Sequence, residues 1–203
     1  VVDDISVLVL EKFAEGNWRQ YEDQLNENKI NVEECLNLVF QHVKAIKNEI
    51  IDYIIDKIVI RDGFENLVKF CERNNIEFTI ISAGLDFVID LVLGELDLDV
   101  PVVVARTHFD GGLSFSFPSK YYEDSEDFKA DTVRKFNEEG FQTIFIGDAG
   151  SDYHGALHSK FVFAVKDKPL ELFMQQMNKS EFYPFTTFDS IISQITSQLV
   201  DNK

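Results

Sequence analysis

The stretch FIGDAGSD, residues 145–152, places two carboxylates, Asp148 and Asp152, four residues apart at the junction of an apolar strand and a helix. Gly147 and Gly150 let the backbone turn sharply at this junction. Carboxylate oxygens are the ligands that hard divalent cations such as Mg²⁺ prefer. The stretch therefore predicts a cation site at a strand end. A plain strand end followed by an Asp in the first helical turn would give the same pattern.

Strand and helix patterns alternate on both sides of this stretch, from residue 60 to the C-terminus. Such alternation predicts an α/β fold with a Rossmann-like, doubly wound parallel sheet. Residues 5–57 carry only helical periodicity and predict a bundle of short helices. We therefore expect a small all-helical cap in residues 1–58 and an α/β core in residues 59–203.

Polar residues suited to phosphate follow a second predicted strand, at residues 77–81. Ser82 stands at the strand end, and the backbone N–H groups of Ala83 and Gly84 come directly after it. A hydroxyl and free amides in this position can bind a phosphate oxygen, although a helix N-cap is the alternative. Because ligands gather at the carboxyl ends of parallel strands, Ser82 and Asp148 are predicted to share one sheet edge.

Lys129 lies close to the predicted start of a helix over residues 128–139. The helix dipole disfavours a cation there, so the position makes physical sense if the ammonium faces a phosphate and a carboxylate. A solvated surface Lys is the alternative interpretation. His154 and His158 are four residues apart, but the pair has no Glu general base and is weak evidence for zinc.

The overall charge excludes some classes of partner. Asp and Glu number 36 against 19 Lys and Arg, which gives a net charge of −17. Such a field repels nucleic acids and anionic membranes, whereas a small phosphorylated substrate can still bind where a cation and a Lys reverse the local sign. Cys35 and Cys71 form no metal or redox motif, and we expect free thiols in a reducing, cytoplasmic compartment.

Taken in chain order, Ser82, Lys129 and the Asp148–Asp152 pair resemble motifs of the haloacid dehalogenase superfamily of phosphatases. The segment RDGF at residues 61–64 and the hairpin FDGGLSF at residues 109–115 are similar to phosphoserine-phosphatase-like members. Within these, the methylthiopentenyl phosphate phosphatases are the most similar group. The resemblance extends over roughly the whole chain.

The resemblance implies a Mg²⁺-dependent hydrolase of small phosphomonoesters that works through an aspartyl-phosphate intermediate. Asp148 would ligate Mg²⁺, and Asp152 would support the metal through water and hold the lysine. Lys129 would neutralise the nucleophile and the phosphate, while Ser82 and the amides of Ala83 and Gly84 would bind a phosphoryl oxygen. The helical cap would close over the substrate. Trp18, Arg19 and Tyr21 are candidates for contacts with it, although packing within the cap is the favoured explanation for all three side chains.

One motif of this superfamily has no counterpart in the sequence. The family's nucleophile lies in a DxDxT motif at the end of the first core strand, whereas Asp3 and Asp4 match only the position after that motif. Three explanations stay open: an N-terminal segment that carries the strand upstream of Val1, a natural pseudophosphatase, or a deliberate truncation. Besides the enzyme, the alternatives are a non-catalytic binding or regulatory protein on the same fold and an unrelated α/β domain.

Overall fold

The computed structural model describes residues 5–27 and 29–200. The helices are α1 (Ile5–Phe13), α2 (Arg19–Asn26), α3 (Val32–Phe40), α4 (Lys47–Ile54), α5 (Phe64–Arg73), α6 (Asp86–Glu95), α7 (Phe128–Glu138), α8 (Tyr153–His158), α9 (Pro169–Gln176) and α10 (Phe188–Val200). The strands are β1 (Ile80–Ser82), β2 (Val102–Val104), β3 (Arg106–His108), β4 (Ser114–Ser116), β5 (Ile144–Gly147), β6 (Phe161–Val165) and β7 (Phe182–Phe185). Short 3₁₀ turns lie at Ile55–Lys57 and Gly150–Asp152.

The chain packs as two compact units, each of which is built from two segments. The first unit comprises Val1–Arg61 and Thr79–Pro118, and the second comprises Asp62–Phe78 and Ser119–Lys203. The division into a cap of residues 1–58 and a core of residues 59–203 stays a prediction.

In the first unit, the N-terminal helices pack with a hairpin from later in the chain. β3 and β4 pair antiparallel, and the Asn37 side chain of α3 bonds both the carbonyl (3.3 Å) and the amide (2.7 Å) of Phe115 in β4. The rings of Phe40 and Phe115 meet edge to face, with centroids 5.0 Å apart. These contacts bury apolar area and satisfy a strand edge at the same time, which explains why the hairpin belongs to this unit.

Trp18, one of the residues considered for substrate contact, lies in the core of the first unit. It is only 5% exposed, and the Arg19 guanidinium stacks over its ring at 4.3 Å. Arg19 also donates to Glu11, while the Tyr21 ring lies 5.8 Å from that of His42. The structure thus gives these three side chains packing partners within the helical segment.

The second unit is centred on a parallel sheet in the order β5-β6-β7. Four of the five residues of β6 are buried, as expected for a strand covered by helices on both faces. Fully buried Val162, Ala164, Leu170 and Met174 form the core against α8 and α9. β5 therefore ends next to well-packed elements, and the polar turn that follows it stands on a rigid base.

The predicted α/β class is confirmed, and the described parallel strands form two sheets, β1-β2 and β5-β6-β7. The first core strand expected before residue 1, together with Asp3 and Asp4, lies outside the described residues. Asn31, followed three residues later by Glu34, predicts a capping box at the start of α3. The structure confirms it: the Asn31 side chain accepts from the Glu34 amide at 2.9 Å, and the Glu34 side chain accepts from the Asn31 amide at 3.1 Å.

One predicted helix cap is wrong. Asp62, a residue type common at N-caps, stands directly before the helical pattern that runs to about Arg73 and so predicts a cap there. The N-cap is instead Gly63, whose φ of 83° lies in the left-handed region. A Cβ atom on Gly63 would lie 2.6 Å from the amide nitrogen of Asp189. The carbonyl of Asp62 instead accepts a hydrogen bond from the Phe188 amide at 2.9 Å, because α5 and α10 pack together here.

Within residues 5–27 and 29–200, every helix falls short of the length and apolar character that crossing a lipid bilayer requires.

Candidate active site

Asp152 organises the turn that follows β5. Its side chain is largely buried, and its Oδ2 atom accepts hydrogen bonds from the amides of Asp148 at 2.9 Å and Ala149 at 3.0 Å. A Cβ atom on Gly147 would lie 2.6 Å from this same oxygen, so only glycine lets the strand end approach it so closely. The carboxylate thus fixes the backbone that carries Asp148.

Lys129 occupies the other oxygen of Asp152. Its side chain, buried in the first turn of α7, donates to Asp152 Oδ1 at 2.7 Å and to Ser151 Oγ at 3.2 Å. Burial raises the pKa of Asp152, but the charge of Lys129 and the hydrogen bonds from Lys129 and the two amides outweigh burial, so the pKa lies below its ordinary value. The Asp152 carboxylate is therefore ionised at neutral pH.

A second ion pair joins the same two regions of the chain. Asp127, the N-cap of α7, accepts from the Ala130 amide at 2.8 Å through Oδ1, and its Oδ2 lies 2.8 Å from His154 Nδ1. Burial raises the pKa of Asp127, but the bonds from His154 and Ala130 hold it below its ordinary value. The bond to Asp127 correspondingly raises the pKa of His154, against a smaller opposing effect of burial.

In the first unit, Ser82 is the last residue of β1. Its Oγ accepts a hydrogen bond from the Gly84 amide at 3.2 Å. The N-cap of α6 is Leu85, which makes no side-chain capping bond, so Ser82 shapes a turn rather than capping the helix. Because the hydroxyl accepts from Gly84, its own proton is available to donate to an anion.

The donor set around Asp148 fits a magnesium ion in part. Asp148 is partly buried, and both oxygens of Asp152 are engaged with Lys129 and backbone amides, which leaves Asp152 a contact through water. Mg²⁺ keeps several waters and often takes only one or two protein carboxylates. The part of the chain that the structure describes contains no cluster of three or more His, Cys, Asp or Glu side chains that could hold a metal. A complete site would need a further oxygen ligand.

Comparison with known proteins identifies the family. A family model described as haloacid dehalogenase-like hydrolase matches residues 11–156, which is most of the chain. This chain belongs to the haloacid dehalogenase-like hydrolases. The predicted family is confirmed, and with it the prediction of an enzyme of the hydrolase class.

Two curated relatives with the same name resemble this hydrolase over most of its length. A Brevibacillus brevis protein named 2-hydroxy-3-keto-5-methylthiopentenyl-1-phosphate phosphatase is 30% identical to this hydrolase, over 97% of the chain and 92% of the relative. A protein of the same name from Bacillus thuringiensis subsp. konkukian is 24% identical, over 95% of the chain and 90% of the relative. The match therefore extends over nearly the full length of both relatives.

Solved structures share the fold of this hydrolase. A phosphoserine phosphatase in its apo form superposes with a TM-score of 0.65 at 17% identity, covering 95% of this chain and 92% of that one. A phospho-aspartyl intermediate analogue of phosphoserine phosphatase gives a TM-score of 0.63 at 19% identity, covering 87% and 84%. At these identities the likeness concerns the fold alone.

The structure brings together part of the predicted residue set. Lys129, Asp148 and Asp152 lie in the second unit, where Lys129 and Asp152 are in direct contact. Ser82, Ala83 and Gly84 lie in the first unit. That all six residues serve one site, and which role each has, stays a prediction.

Sequence reasoning assigned no role to Asp127 and weighed His154 only as a zinc ligand. In the structure each histidine of α8 bonds a different carboxylate, His154 with Asp127 and His158 with Glu126 at 3.1 Å. A signal was available, because two acidic residues stand directly before α7 and two histidines share one face of α8. Nothing in the sequence paired the two sets.

Proposed function

We propose that this hydrolase is a Mg²⁺-dependent phosphoric monoester hydrolase that acts through an aspartyl-phosphate intermediate. The observation that carries the proposal is the buried ion pair between Lys129 Nζ and Asp152 Oδ1, 2.7 Å apart, directly behind the turn that presents Asp148. A buried Lys at a helix N-terminus runs against the helix dipole and is difficult to explain by stability alone. An anionic substrate beside the Lys129 ammonium would explain why a cation is placed there.

Each residue has a proposed role that follows from its contacts. Lys129 is held at the start of α7, and its ammonium neutralises charge on a phosphoryl group without moving during the reaction. Asp152 keeps Lys129 in place and fixes the backbone of Asp148. Asp148 would hold Mg²⁺ directly and Asp152 through water, and the bound ion would supply positive charge to the phosphoryl oxygens. Ser82 and the amides of Ala83 and Gly84 would donate hydrogen bonds to a phosphoryl oxygen.

The reaction has two covalent steps. A carboxylate oxygen of an Asp, supplied by the DxDxT motif that the resemblance implies, attacks the phosphorus. The ester P–O bond breaks, and the leaving alkoxide takes a proton from water to become the alcohol. Water then attacks the phosphorus of the aspartyl phosphate, which releases orthophosphate and restores the carboxylate. Positive groups that are fixed in advance stabilise both transition states, which is what a pre-formed Lys129–Asp152 pair provides.

The proposed substrate class is a small phosphorylated metabolite. Its support is the relatives named 2-hydroxy-3-keto-5-methylthiopentenyl-1-phosphate phosphatase, and this compound is the first one to test. We do not propose a nucleic-acid or membrane partner, given the net charge of −17. We retain the prediction of a cytoplasmic location, for which the free thiols of Cys35 and Cys71 give support.

The proposal is tested by measuring phosphate release by the full-length protein, with Mg²⁺ and after chelation. We expect turnover that disappears with excess chelator and returns when Mg²⁺ is added in excess. We also expect Asp148→Asn to lower kcat/KM on the order of 10²-fold or more, since a neutral amide is a poor Mg²⁺ ligand.

The matched control is Asp167→Asn, because Asp167 is an exposed carboxylate that follows the neighbouring strand β6. Its φ of 61° is one that Asn tolerates, so the exchange should leave both folding and turnover unchanged. Turnover that is equal with Mg²⁺ and with chelator would refute the metal assignment. A full-length protein that binds the phosphorylated compound without releasing phosphate would favour the non-catalytic alternative.

A further inference from the structure

Asp127 makes two different contacts with its two carboxylate oxygens. Oδ1 accepts from the Ala130 amide and so begins α7, while Oδ2 bonds Nδ1 of His154 at the start of α8. The side chain is largely buried, whereas the imidazole of His154 is 46% exposed. One carboxylate therefore ties the start of α7 to the start of α8.

This contact runs parallel to the Lys129–Asp152 pair. Lys129 follows Asp127 by two residues, and His154 follows Asp152 by two residues, so both contacts join the same two stretches of chain. We propose that Asp127 and His154 are positioning residues that hold Lys129 Nζ against Asp152 Oδ1. Their effect on turnover rests on the proposed function, whereas their effect on the geometry of the ion pair does not.

The physical need for such a contact follows from the character of lysine. Its ammonium sits at the end of a flexible four-carbon stem, and the dipole of α7 opposes a cation at this end. The carboxylate of Asp152 is placed by the backbone after β5, so the ammonium finds it only if α7 begins at the right point. Asp127 sets that point twice, by capping the helix and by bonding α8. Lys129 also lies close enough for its positive charge to add to the bonds from His154 and Ala130 that lower the pKa of Asp127.

A second pair between the same elements serves as a built-in control. His158 Nε2 lies 3.1 Å from Glu126 Oε1, one helical turn farther from Asp152, and both side chains are about one-third exposed, at 32% and 38%. This pair also joins α8 to the segment before α7, and Glu126 lies 3.9 Å from Arg134 as well. Among the described residues, neither side chain hydrogen-bonds Lys129 or Asp127. Variants of this pair therefore show whether any contact between α8 and the segment before α7 supports turnover, or only the one that positions the Lys129 ammonium.

The experiment compares variants of the full-length protein at saturating Mg²⁺, with kcat and KM measured separately. Asp127→Ser keeps an N-cap hydroxyl but is too short to reach His154, and His154→Ala removes the same contact from the other side. We expect each to lower kcat about 10- to 100-fold with little change in KM, as supporting groups behind a site do. The double variant should be no worse than either single one. Asp127→Asn, which can cap the helix and donate to His154, should restore most of kcat.

The control variants are Glu126→Gln and His158→Gln, which should leave kcat within twofold of the wild type. The positioning role is overturned if Asp127→Ser and His154→Ala retain full kcat. It is also overturned if the Glu126 and His158 variants lose as much kcat as Asp127→Ser and His154→Ala.

A measurement independent of turnover separates this proposal from the proposed function. A double-mutant cycle in urea unfolding combines His154→Ala with Lys129→Met and asks whether their effects add. Non-additive effects support positioning even if no substrate is hydrolysed, in which case only the proposed function fails. Additive effects overturn the positioning role whatever the activity.

Discussion

The turns after β1 and after β5 both end a parallel strand with a polar residue, yet they are held in different ways. Within residues 5–27 and 29–200, the Ser82 hydroxyl bonds only the amide two residues further on, and the resulting turn is local. Asp152 bonds two nearby amides and also a lysine from 23 residues earlier in the chain. A neutral hydroxyl can be placed by its own turn, whereas a buried carboxylate needs a cation brought from elsewhere in the fold.

Breaking the ion pair between Lys129 and Asp152 should have the largest effect on both stability and turnover. We expect Lys129→Met to lower the free energy of unfolding by about 3–5 kcal/mol, because it leaves the Asp152 carboxylate buried without its cation. Turnover should fall on the order of 10³-fold or more, as when a charge-stabilising cation is removed from a phosphoryl-transfer site. Urea unfolding and initial rates check the two effects.

The double variant Lys129→Met/Asp152→Asn refines this test. Removing both charges should recover part of the lost stability and none of the activity, since no charge then remains buried alone. A double variant as unstable as the sum of its parts would show that the ion pair contributes little and that packing dominates.

The close approach at the end of β5 should give the next largest effect. In Gly147→Ala the new methyl group would lie 2.6 Å from Asp152 Oδ2, which displaces the carboxylate or the strand. We expect a loss of about 1–3 kcal/mol in the free energy of unfolding, as for other overpacked sites. Thermal or urea unfolding measures the loss.

Gly94→Ala is the matched exchange in the other unit. Gly94 lies within α6, with no atom within 4 Å of an added Cβ, so alanine should raise stability by up to about 1 kcal/mol through its helix propensity. Equal effects at the two glycines would contradict the view that the β5 turn is the tightly fitted one.

The turn after β1 should be the more tolerant of the two. Ser82→Ala removes one hydrogen bond in a local, partly buried turn, which costs about 0.5–1.5 kcal/mol. On the proposed function kcat/KM should still fall about 10²-fold, as when one donor to a developing charge is lost. If Ser82→Ala lost as much stability as Lys129→Met, the turn after β1 would not be the more tolerant one.

Acid should give the smallest effect on stability, and it compares Asp127, the N-cap of α7, with Ser82 in the turn after β1. The folded pKa of Asp127 lies below its ordinary value, so its contribution to stability is present above an ordinary carboxyl pKa of about 4 and is lost as the pH falls through the lower folded pKa. The gap in unfolding free energy between the wild type and Asp127→Asn should therefore narrow from pH 6 to pH 3. The difference in unfolding free energy between the wild type and Ser82→Ala should stay constant over the same range. A difference that also stays constant for Asp127→Asn would contradict an ionised Asp127.

Local patterns in the sequence predicted the local structure well. The spacing of Asn31 and Glu34 predicts the observed capping box, and the apolar runs at residues 161–165 and 182–185 predict strands where β6 and β7 are found. Each of these patterns depends on neighbours in the chain. The Asp62 cap failed because the packing of α10 on α5 decided the start of that helix, and no pattern near residue 62 carries that information.

The site shows the same division between local and long-range information. The strand-end position of Asp148 and the unusual place of Lys129 at a helix start could be identified from spacing and the helix dipole. The contact of Asp127 with His154 spans 27 residues and depends on how α7 and α8 pack. The sequence therefore shows the two residues but not that they meet. Roles that depend on the nucleophile of the family's DxDxT motif stay predictions.

Asp152 has consequences for how this protein can be redesigned. One of its oxygens sets the position of the lysine and the other sets the loop that carries Asp148, so a single side chain controls two parts that an engineer would wish to adjust separately. A change that moves the loop also moves the ammonium. Selection for new substrates should therefore accumulate substitutions away from this turn, while libraries centred on residues 147–152 should return mostly inactive clones.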